Sequence, residues 1–113
     1  MSELPSVQLR RAVAEMNRLL GETERLGEEL AQREYQYRLA AAKKILQLRD
    51  AKTSVTLIPA LMKGDEEVAA IILERDLAEV RYKVAQERIQ AAKKEIAVYS
   101  DEVNREWGQA KYE

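Results

Sequence analysis

The stretch Thr53-Ser-Val-Thr-Leu-Ile-Pro-Ala-Leu-Met-Lys-Gly64 interrupts a chain that elsewhere reads as helix. Three of its first four residues are β-branched, and Pro59 disfavours helical geometry at Ile58. Gly64 is followed by Asp65-Glu-Glu67, which puts acids in a first turn, where the helix dipole favours them. The chain is therefore expected to turn over residues 53–64, between one helix over about 6–52 and a second over about 65–111. A helix of about 45 residues runs roughly 68 Å at 1.5 Å per residue. The expected fold is a single all-α domain over residues 1–113, an antiparallel helical hairpin shaped as a coiled-coil-like rod.

The second helix carries the cleaner pattern. Val68, Ile71, Arg75, Ala78, Tyr82, Ala85, Ile89, Ala92, Ile96, Tyr99 and Val103 alternate steps of three and four, a heptad seam broken chemically only by Arg75. Its Ala78, Ala85 and Ala92 allow a neighbouring helix to come close. In the first helix the apolar positions are Leu9, Val13, Met16, Leu20, Leu26, Leu30, Tyr37, Ala41, Ile45 and Leu48. Ser2 or Ser6 suits an N-cap, with Pro5 tolerated in the first turn. Gly21 and Gly27 each cost about 1 kcal/mol relative to Ala inside a helix. They mark either a bend or a break that leaves a separate N-terminal helix, and a continuous or gently kinked helix is expected.

Charge selects the same pairing. Residues 35–52 carry a net +4 and residues 65–79 a net −5, and a turn between them lays these blocks side by side. Further out, residues 80–94 at +4 fall opposite residues 21–34 at −3. Each exposed pair contributes only about 0–1 kcal/mol, yet a parallel dimer would stack every block on its like.

Composition limits the chemistry. The 113 residues include 19 Lys+Arg and 20 Asp+Glu but no His and no Cys. The commonest general base, the commonest metal ligand, thiol catalysis and disulfides are all absent. No Gly-rich phosphate loop and no di-metal carboxylate-histidine set is present. The expectation is a protein that is not an enzyme and needs no cofactor or metal. No apolar run approaches the roughly 20 residues of a membrane span, and the N-terminus lacks a signal-peptide core, so a cytoplasmic protein without membrane partners is expected.

Function then falls to surfaces. Leu73, Leu77, Val80 and Val84 form a second stripe on the second helix, facing away from the seam, and a helix apolar on two faces is packed on two sides. A folded-back N-terminal helix, a second copy or an unrelated partner could cover it; self-association into a dimer or tetramer is expected. In the turn, Val55, Leu57, Ile58, Leu61 and Met62 either cap the hairpin end or form an apolar docking tip. Trp107 is read as the last large core contact, with a partner anchor as the alternative. Lys43, Lys44, Lys52, Arg81, Arg88, Lys93 and Lys94 are the candidate nucleic-acid contacts. Each cluster faces an acidic block and lacks interleaved aromatics, so a solvated helix face is the expected role.

Several short runs carry a resemblance: Tyr35-x-x-x-Leu-Ala40, the break at Thr53, Glu79-Val-Arg-Tyr-Lys83, and the closing Ser100-Asp-Glu-Val-Asn-Arg-Glu-Trp107. Over residues 35–107 the chain resembles small helical proteins encoded by phages and prophages of Gram-positive and actinobacterial hosts, often near recombination or single-strand annealing genes. The apolar Leu57–Met62 tip is longer than in that group, which has no functional motif to carry over. The resemblance implies an oligomeric accessory or adaptor in phage DNA metabolism, in the cytoplasm of a bacterial host and contacting a phage or host protein. A nucleic-acid-binding accessory and an inhibitor of a host protein are the alternatives.

Overall fold

A computed structural model describes residues 4–112. The order of elements is α1 (Pro5–Asp50), α2 (Ile58–Gly64) and α3 (Glu66–Tyr112), and no strand occurs among the described residues. The fold is all-α, an antiparallel helical hairpin. It divides into a turn unit, Arg25–Tyr82, and a terminal unit, Met1–Glu24 with Lys83–Glu113.

In the turn unit, Ala41, Met62 and Val68 form the buried core, with Tyr37, Ala40, Ile45, Leu48 and Ile72 packed against it. The antiparallel sense shows in the pairing. Tyr37 lies under the Arg75 guanidinium, 4.4 Å from its ring centroid, whereas Lys44, further along α1, meets the earlier Asp65 at 3.1 Å. Arg33 reaches Glu74 at 3.1 Å. The one charged residue of the α3 seam thus sits on an aromatic face, where a cation is attracted by the ring quadrupole. It also donates to Asp76, at 3.1 and 3.3 Å.

α1 ends in a Schellman motif. The Thr53 N–H bonds the Leu48 carbonyl at 3.0 Å, and the Lys52 N–H bonds the Arg49 carbonyl at 2.9 Å. Lys52 takes the left-handed conformation this closure needs, with φ 58°, where glycine is the usual occupant. The expected irregular turn then departs from the sequence reading, because residues 58–64 form α2. Pro59 stands in its first turn, where a missing N–H leaves no bond unmade, so it suits the start of this helix. Asp65 is extended and caps α3: its Oδ2 accepts the Val68 N–H at 3.2 Å. Glu66 and Glu67 occupy the first turn as expected.

The terminal unit has a smaller core of Leu19, Ile89 and Ala92, with Met16 packed against it. Every expected seam residue of α3 is buried or half-buried. In α1 the expectation fails at two positions. Val13 and Leu20 are exposed, and Ala12 and Leu19 are buried in their place. The heptad phase runs through Ala12, Met16, Leu19, Thr23 and Leu26. Thr23 fits it by bonding its hydroxyl to the Leu19 carbonyl at 2.7 Å.

Gly21 and Gly27 do not break α1. Gly27 has a packing role within the turn unit: a Cβ there would stand 3.1 Å from Tyr82 Cε2, so the missing side chain makes room for the ring. At Gly21, nothing beyond its chain neighbours and the helix's own local backbone lies within 4 Å of the corresponding point.

Candidate interaction surfaces

The phase of α3 is set by its seam, which turns Val68, Ala78 and Ala85 inward. The side chains two residues on from Arg75, Ala78 and Tyr82 are then carried to the opposite side of the helix. Leu73, Leu77, Val80 and Val84 are accordingly 60, 43, 58 and 41% exposed. The first three belong to the turn unit, and Val84 follows one turn on in the same helix. A folded-back N-terminal helix does not cover them, because α1 is continuous from Pro5.

Sequence reasoning missed a second stripe. Tyr35, Leu39, Ala42 and Leu46 of α1 are all exposed, at steps of four, three and four. The signal was the same spacing that revealed the α3 stripe, obscured by the interleaved seam residues Tyr37 and Ala41.

The tip divides. Ile58 and Met62 are buried and act as the staple of the turn unit, which removes them from the expected docking set. Val55, Leu57 and Leu61 remain exposed. Trp107 is 75% exposed, so it is not the expected core contact.

The basic candidates also separate. Lys44 is half-buried and bonded to Asp65, and Lys52 closes the end of α1. The side chains of Lys43, Lys52, Arg81, Arg88, Lys93 and Lys94 are exposed. A groove of about 580 Å³ in the turn unit is lined by Lys43, Lys44, Asp65, Glu66 and Glu67 among others, mixing both charges. The Lys44 ammonium, with the Val68 N–H, holds the Asp65 carboxyl below the usual aspartate range, so it is a fixed anion at neutral pH and not a proton donor. No cluster of three or more acidic side chains suited to hold a metal occurs among the described residues. No described helix is long and apolar enough to cross a membrane.

No protein-family model, curated protein or solved structure matches the chain. The functional reading therefore rests on these surfaces.

Proposed function

We propose that this chain is a non-enzymatic helical interaction protein that self-associates through the outer stripe of α3. The observation that carries this reading is the exposure of Leu73, Leu77, Val80 and Val84 in a line on the side of α3 away from its seam. Isolated exposed apolar residues are ordinary; a contiguous row of four on one helix face is the mark of an interface. Leu57 and Leu61 at the tip, and separately Trp107, are then the surfaces offered to another protein, of phage or host origin. The resemblance over residues 35–107 extends the proposal to a phage accessory or adaptor role.

Light scattering after size exclusion, over a range of concentrations, tests the core of the proposal. The unmodified chain is expected to run as a dimer or larger. The Leu77→Glu/Val84→Glu variant should keep its helical circular dichroism and fall to monomer mass. A folded variant of unchanged mass would overturn the interface. Fluorescence anisotropy with labelled oligonucleotides separates the rival: binding that weakens steeply with salt would favour the exposed lysines and arginines as a phosphate-contacting surface.

A further inference from the structure

The charges beside the α3 stripe are arranged with a symmetry that the stripe alone does not have. α3 is one helix, so spacing determines which side chains flank the apolar row. One flank carries Glu67, Glu74, Arg81 and Arg88 at intervals of seven, and the other carries Asp76 and Lys83, again seven apart. All six are exposed. On both flanks the sign changes from negative to positive at the midpoint of the stripe, between Ala78 and Glu79.

We propose that a second copy of this chain docks on the stripe antiparallel, with a two-fold axis passing between Ala78 and Glu79. The inference rests on the self-association reading above and names its geometry. In that register Leu73 meets Val84 of the second copy, and Leu77 meets Val80. The same register brings Glu74 to Arg81, Glu67 to Arg88 and Asp76 to Lys83 of the second copy. Every flanking pair joins opposite charges, and the symmetry makes each pair twice. A patch that is its own complement under a two-fold rotation is what an isologous dimer requires. The parallel, in-register alternative sets Asp76 against Arg81 but also Lys83 against Arg88, so attraction and repulsion offset each other.

Glu74 and Asp76 keep acceptor capacity for these contacts beside the bonds they already make within the chain. Glu74 already bridges Arg33 at 3.1 Å, and Asp76 accepts from Arg75. A carboxylate has about four acceptor sites, so each can serve a second cation. The contact from Glu67 to Arg88 would extend about 32 Å along the helix.

Two experiments on the full chain test the arrangement. The chain has no cysteine, so introduced thiols report without background. An oxidised mixture of Leu73→Cys and Val84→Cys chains should give a disulfide dimer between the unlike variants. Neither variant should cross-link alone, because its two copies of the thiol would lie about 16 Å apart along the helix, beyond disulfide reach. Cross-linking of Leu73→Cys with itself would show a parallel dimer and overturn the proposal. In the second experiment, Arg81→Glu should weaken the dimer about tenfold, because Glu74 then faces a carboxylate in place of a guanidinium at both symmetry-related contacts. Adding Glu74→Arg should restore affinity to within about threefold of the unmodified chain; no recovery, with helicity intact, would overturn the register. A monomeric unmodified chain would instead remove the self-association on which the geometry depends.

Discussion

The turn unit and the terminal unit use one heptad seam in different ways. Between Arg25 and Tyr82 the helices are joined by unlike contacts: Arg75 over the Tyr37 ring, Lys44 on Asp65, Arg33 on Glu74, and Tyr82 filling the space left by Gly27. The terminal unit relies on Leu19, Ile89 and Ala92 with Met16, and there Arg18 pairs along its own helix with Glu15 and Glu22. An Ala-lined seam brings helices close without preferring one register over another. Ring, charge and cap contacts prefer one register strongly, and the four named above hold the turn unit in its register.

The largest test of that contrast lies in the short helix. Met62 is buried against Ala41 and Val68, whereas Leu61 beside it is exposed. Met62→Ala should destabilise by about 2–3 kcal/mol, through lost burial and the cavity left behind. Leu61→Ala should stay within about 0.5 kcal/mol of the unmodified chain. Urea unfolding followed by circular dichroism measures both. Equal effects would mean that α2 is not docked and that the turn unit lacks the core assigned to it. Leu19→Ala, at the core of the terminal unit, sharpens the comparison, with an expected loss in the same range as Met62→Ala.

A second test concerns the closure of α1. Lys52 holds a left-handed conformation that costs an L-residue about 1–2 kcal/mol. Lys52→Gly should therefore raise stability by about 1 kcal/mol, after allowing for the greater freedom of glycine in the unfolded chain. A destabilised variant would mean that the lysine side chain holds the turn by some contact of its own.

What the sequence made legible follows from this division. The α3 seam was readable throughout because its apolar and alanine positions keep one rhythm from Val68 to Val103. The first third of α1 was not, because Ala12 and Thr23 occupy seam positions while the larger Val13 and Leu20 lie just outside. The position of the turn was readable from its β-branched run and Pro59. Its helix was not, because a proline read as a helix breaker also suits the first turn of a helix. On the candidate surface, the α3 stripe was visible in spacing alone. Burial of Ile58 and Met62 required knowing how the turn folds, and exposure of Trp107 required knowing where the seam ends.

The two glycines of α1 provide a smaller and more direct comparison. Both carry the same helix penalty, so by propensity alone Gly21→Ala and Gly27→Ala should each stabilise by about 1 kcal/mol. Gly21 has open space around it and should show the full gain. At Gly27 the added methyl would press on the Tyr82 ring, so the gain should vanish or reverse. Thermal unfolding of the two variants decides it. Equal gains would show that Tyr82 yields freely and that Gly27 has no packing role.

The smallest effect is also the one most specific to the turn. Asp65 is held below the usual aspartate range first by the Lys44 ammonium and then by the Val68 N–H. A carboxyl whose pKa is lowered by folding favours the folded state fully when the pH lies above its unfolded value, about 3.9. That contribution is lost as the pH falls from there through the folded value. Asp65→Asn keeps an acceptor at the head of α3 but removes the titration and the charge facing Lys44. Unfolding midpoints should differ between the two proteins at neutral pH, with the unmodified chain the more stable, and should converge as the solution is acidified below that value. A constant difference down to the lowest pH would mean that the cap, and not the charge, accounts for what Asp65 contributes. The Lys44→Met variant should show the same convergence, since the same ion pair is removed from its other side.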